Sequence, residues 1–113
     1  MILDHACCYG NIISVPLYDT LGELSLEHIC NQTELKVIFC SKEKVPNILR
    51  LKPKLPLLQT LVVFDPINDA KLEKECQACS LEVVTFIQLE KLGVENLVNY
   101  KYTPPISTDI MTI

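Results

Sequence analysis

Ile12-Ile13-Ser14-Val15-Pro16-Leu17-Tyr18 is an apolar run that breaks at Asp19-Thr20-Leu21-Gly22. The run reads as a buried strand. Asp19 and Thr20 shape a turn, and a helix opens after Gly22. This strand–turn–helix order recurs down the chain. Further apolar runs occupy residues 36–40, 60–64, 82–86 and 109–113, each bounded by polar, Pro or Gly residues. The five runs begin 22 to 27 residues apart, which leaves room for the crossover helix that parallel strands need. Uninterrupted apolar strands suit a sheet covered on both faces. The pattern predicts an α/β fold: repeated βα units forming part of a mainly parallel sheet with helices on both faces. No linker divides the chain.

The segments between the runs carry helix signals. Residues 2–10 read as a short first helix. Residues 22–34 present Leu26, Ile29, Cys30 and Thr33 at helical spacing. Ser41 is a candidate N-cap for a helix through Leu51, which Pro53 and Pro56 stop. Asn68 or Asp69 caps the next helix, whose inward stripe is Leu72, Cys76 and Cys79. Thr85 and Gln88 have capping-box spacing for a helix that Gly93 ends. Residues 94–105 read as a connecting loop, with Pro104-Pro105 forcing extended backbone.

Composition narrows the function classes. The 113 residues are 49% hydrophobic and 21% charged, which argues for a packed chain rather than a disordered one. A net charge of −4 disfavours a general nucleic-acid role. The one basic stretch, residues 42–54, reads as a solvated helix face and loop rather than an anionic-headgroup site. No apolar run approaches the ~18–20 residues of a membrane span, and the first residues lack the pattern of a signal peptide. The six cysteines therefore point to a reducing, cytosolic setting. In that setting the Asn31-Gln32-Thr33 sequon is a spelling coincidence.

Candidate chemistry is sparse. Cys76-Gln77-Ala78-Cys79 is a CxxC, but it falls near the end of a predicted helix. Redox pairs use the start of one, where the thiol pKa is lowered. Buried core cysteines are the favoured reading. Zinc needs two close ligand pairs; Cys7 and Cys8 are adjacent, Cys30 and Cys40 lie apart, and His5 and His28 stand alone. Gly10, Gly22 and Gly93 are too far apart for a phosphate cradle. No serine lies in a nucleophile elbow. No catalytic, cofactor-binding or metal-binding residue is assigned.

Val15-Pro16-Leu17-Tyr18-Asp19-Thr20-Leu21-Gly22 resembles the signature of eukaryotic long-chain acyl-CoA synthetases, the AMP-forming long-chain fatty acid–CoA ligases. Weaker matches follow in order: residues 6–10, 31–40, 58–65, 89–93 and 103–113. Glu23-Leu24-Ser25 departs from the usual small polar residue after the signature glycine. The resemblance implies that residues 1–113 are a partial N-terminal adenylation (AMP-binding) domain, an incomplete subdomain stopping just before the phosphate-binding loop. It implies a parent enzyme using ATP, Mg2+ and CoA to convert a fatty acid through an acyl-adenylate to acyl-CoA. That parent is expected on the cytosolic side, associated with endoplasmic reticulum, peroxisome or another organelle membrane. No catalytic residue of the family maps onto this segment, so it reads as scaffold, inactive alone and binding none of these molecules. The alternative is a free-standing α/β interaction module that docks on a full-length synthetase, pairing through the terminal strand at residues 109–113.

Overall fold

The computed structural model describes residues 1–113. Its elements alternate as the spacing predicts. They run α1 (Ile2–Gly10), α2 (Glu23–Gln32), β1 (Val37–Cys40), α3 (Val45–Leu51), β2 (Thr60–Val63), α4 (Ala70–Ala78), β3 (Glu82–Thr85) and α5 (Phe86–Asn96). Single 3-10 turns cover Lys42–Lys44, Lys52–Lys54 and Leu97–Asn99. The chain forms two compact units, residues 22–96 and residues 1–21 with 97–113.

The larger unit is a parallel three-stranded sheet in the order β1-β2-β3. Phe39 pairs in register with Val62, and Val62 with Val84. The middle strand carries the core: Leu61 and Val63 are fully buried and Val62 nearly so. Val45, Ile48 and Leu51 of α3 are buried at helical spacing, as is Cys76 of α4. The predicted stripe on α4 holds, with Leu72 and Cys79 half-buried beside Cys76.

Local chemistry sets the helix boundaries. Asp69 caps α4, its carboxylate accepting from the Lys71 N–H at 3.0 Å. Asp69→Ala is expected to cost about 1 kcal/mol, read as a lower urea midpoint. Thr85 and Gln88 form the predicted box: Gln88 N–H donates to Thr85 Oγ1 at 3.3 Å and Thr85 N–H to Gln88 Oε1 at 2.8 Å. Three helices end on left-handed residues that are not glycine: Asn11 (φ 51°), Glu34 (φ 53°) and Ser80 (φ 54°). In each case the next N–H reaches back into the last turn, from Ile12 to Cys7 O, Leu35 to Cys30 O and Leu81 to Cys76 O. These are Schellman endings, and those after α2 and α4 turn the chain into β1 and β3.

The structure corrects four expectations. Residues 12–18 and 109–113 are not buried strands. They meet in one isolated parallel bridge, Ser14 with Thr112, and Ile12, Ile13 and Tyr18 are exposed. Pro16 has no N–H to extend such a ladder. Gly93 does not end α5, which runs on to Asn96. No glycine has positive φ, so the left-handed stop is absent there. Residues 94–105 are consequently helical for their first part. Ser41 makes no side-chain cap; the Lys42 N–H donates instead to Asp65 Oδ2 at 2.9 Å. Pro53 falls inside a 3-10 turn, Lys52–Lys54, that extends α3.

The smaller unit is held by contacts far apart in sequence. Ser14 N–H donates to Met111 O at 3.0 Å, and Ile113 N–H to Ser14 O at 3.1 Å. Asp109 Oδ2 accepts from Asn11 Nδ2 at 3.1 Å and from Ile106 N–H at 2.8 Å. Tyr100 OH donates to Tyr9 O at 3.2 Å, and the Tyr9 and Tyr102 rings lie 5.2 Å apart.

Candidate functional site

Open parallel sheets bind ligands beyond the carboxyl ends of their strands. Here that edge carries Ser41 after β1, Phe64 and Asp65 after β2, and Thr85 with Gln88 after β3. Three aromatic rings form a row along it. Phe39 and Phe64 are 6.2 Å apart between centroids, and Phe64 and Phe86 are 5.6 Å apart. Asp65, Thr85 and Gln88 at this edge are turned toward local structure. Asp65 ties the chain after β2 to the chain after β1 through Lys42 N–H. Thr85 and Gln88 are spent on each other. A general base aimed at a nucleophile is missing, and so is a cradle of glycine N–H groups.

The thiols are equally quiet. All six cysteines are free. Burial pushes the Cys40 thiol up to about 11, with Asp65 and Cys76 adding to the effect. Burial also raises Cys76, reinforced by Cys79, Glu75 and Glu73. A thiol held up in this way is protonated at neutral pH and is a poor nucleophile. The geometry therefore supports core cysteines at the CxxC and not a redox pair. No group of three or more His, Cys, Asp or Glu side chains is placed to hold a metal ion.

Two cations of the basic stretch pair with carboxylates of α2. Arg50 Nη2 meets Glu23 at 3.2 Å, and Lys54 Nζ meets Glu27 at 3.0 Å. Lys52 Nζ donates to Leu55 O at 3.3 Å. The two ion pairs tie α2 to α3 and to the turn that follows it. Lys42, Lys44, Arg50, Lys52 and Lys54 lie on α3 and the 3-10 turns that flank it, and the Arg50 and Lys54 ion pairs are largely exposed. Sequence reasoning missed the Asp65 tie, which had no local spacing to announce it. It also missed a groove of about 450 Å³ beside β3, with Cys76, Leu81 and Val83 among its walls.

No family model matches the chain. Individual relatives do. A peroxisomal acyl-CoA ligase 891 of Penicillium roqueforti is 31% identical over 121 residues, covering 99% of this chain and 17% of the relative. Long-chain-fatty-acid–CoA ligase 1 of Cavia porcellus is 35% identical, covering 100% of this chain and 16% of the relative. The peroxisomal long chain acyl-CoA synthetase 7 of Arabidopsis thaliana is 30% identical over 113 residues, with the same coverages. End to end, the chain is similar to a segment of these acyl-CoA ligases and long-chain acyl-CoA synthetases. The chain spans about one-sixth of the length of the curated relatives it matches.

The fold agrees. The adenylation domain of a carboxylate reductase from Mycobacterium chelonae superposes with a TM-score of 0.73 at 20% identity, over 95% of this chain and 18% of that one. The corresponding domain from Segniliparus rugosus, solved with AMP and a co-purified carboxylic acid, gives 0.62 at 21% identity, over 98% of this chain and 18% of that one. The chain thus has the fold of one portion of these domains.

Proposed function

We propose that residues 1–113 are a partial N-terminal adenylation domain from a long-chain fatty acid–CoA ligase, serving there as scaffold. The carrying observation is the end-to-end similarity to such ligases. In the parent, a fatty-acid carboxylate attacks the α-phosphorus of ATP and pyrophosphate leaves. CoA thiolate then attacks the acyl carbon and AMP leaves. This segment lacks the cradle that such charge development demands. ATP, CoA and Mg2+ are therefore assigned to other parts of the parent, and none to this chain.

The relatives named as peroxisomal support a parent associated with the peroxisome. No helix here is long and apolar enough to cross a membrane.

ATP–pyrophosphate exchange with a long-chain fatty acid tests the assignment. A longer synthetase containing this segment should exchange label, and residues 1–113 alone should give only the background rate. Exchange by the 113-residue chain would overturn the scaffold assignment.

A further inference from the structure

Glu82 N–H donates to Gln59 O at 3.0 Å, so Glu82 and, by alternation, Val84 face β2. Val83 and Thr85 then turn their backbone groups outward. Thr85 N–H is already taken by Gln88 Oε1. That leaves the N–H and C=O of Val83 as the open pair on this edge. Such a pair is the docking element in strand addition, where main-chain bonds give affinity and side-chain pockets give selectivity.

The open pair borders the groove of about 450 Å³. Ile67, Cys76, Leu81 and Val83 supply apolar walls, while Glu73 and Glu82 supply carboxylates. Glu82 Oε2 accepts from Thr60 Oγ1 at 3.1 Å, which fixes its position without neutralising it. No lysine or arginine lines the groove. An extended backbone beside Val83 would put one side chain on the apolar wall and its neighbours near the carboxylates, since successive side chains alternate.

The geometry points to the β3 edge as a docking site for an extended peptide segment of another protein, with alternating apolar and basic residues. The segment hydrogen-bonds Val83 through its backbone and pairs lysine or arginine with Glu73 and Glu82.

The probe is a capped hexapeptide, Lys-Val-Arg-Val-Lys-Val, added to the full chain; a control carries Glu at each basic position. Amide shifts and hydrogen exchange of 15N-labelled protein are read. The basic peptide should shift Val83 and slow its exchange about tenfold, and the acidic one should do neither. Glu73→Gln with Glu82→Gln should weaken binding about fivefold, two partly exposed ion pairs being lost. Val83→Pro should abolish binding while the sheet survives, because proline is tolerated on an edge where the N–H faces out. An unperturbed Val83, equal response to both peptides, or full binding by Val83→Pro would overturn the proposal. So would a Val83 amide already protected in a longer synthetase without peptide, which would make the occupant part of the same molecule.

Discussion

Leu61→Ala should leave most of the isolated chain unfolded at 25 °C. Leu61 is fully buried in the middle strand, with β1 on one side and β3 on the other. Truncating such a leucine removes its transfer energy and leaves a cavity, together about 2–5 kcal/mol. Small domains hold only about 5–15 kcal/mol in total, and this chain has reason to lie low in that range. It leaves Leu24, Val94, Leu97 and Val98 largely in water, and its sheet has only three strands. Urea denaturation followed by circular dichroism is the measurement. The wild-type chain should show a folded baseline and bind a dye for apolar surface; the variant should show no such baseline. Val98→Ala is the control, since Val98 is 94% exposed, and should shift stability by at most about 0.5 kcal/mol. Equal midpoints for the two variants would contradict this account of the core.

The second large effect is alkaline. The Cys40 thiol ionises near 9.0 when the chain is unfolded and near 11 when folded. Below pH 9 both states hold the proton and the group contributes no pH dependence. Between pH 9 and about 11 the unfolded state loses its proton first, so stability falls as pH rises. The loss approaches 2–3 kcal/mol, from about 1.4 kcal/mol for each tenfold difference in proton affinity. Cys7, Cys30 and Cys76 are raised too and act with the same sign. Urea midpoints at pH 8 and pH 10.5 should differ accordingly, and Cys40→Ala should flatten the difference. At pH 8 the native Cys40 should also alkylate about a hundredfold more slowly than in urea, because the thiolate is the reacting form. Equal alkylation rates in the two states would sink this reading of its surroundings.

What was legible in the sequence was local. Asp69 before a helix and Thr85 three residues from Gln88 are short-range arrangements, and both cap as spacing predicts. The strands at residues 36–40, 60–64 and 82–86 were legible because each is an apolar run that finds neighbours in the sheet. Residues 12–18 are equally apolar, yet a strand exists only where a partner lies in register, and here only Ser14 finds one. The helix endings at Glu34 and Ser80 were hidden because neither residue announces left-handed backbone as glycine does. The groove was not legible, since Ile67, Cys76 and Val83 are brought together by the crossover from β2 to β3 and share no spacing.

The contact between Asn11 and Asp109 spans 98 residues, and this has a consequence for birth on the ribosome. Asn11 must wait for Asp109 to emerge before this hydrogen bond can close. At about 5–20 residues per second, that delay is roughly 5–20 s. Residues 22–96 need no such wait, so the sheet should assemble while the amino-terminal residues remain open to chaperones and proteases.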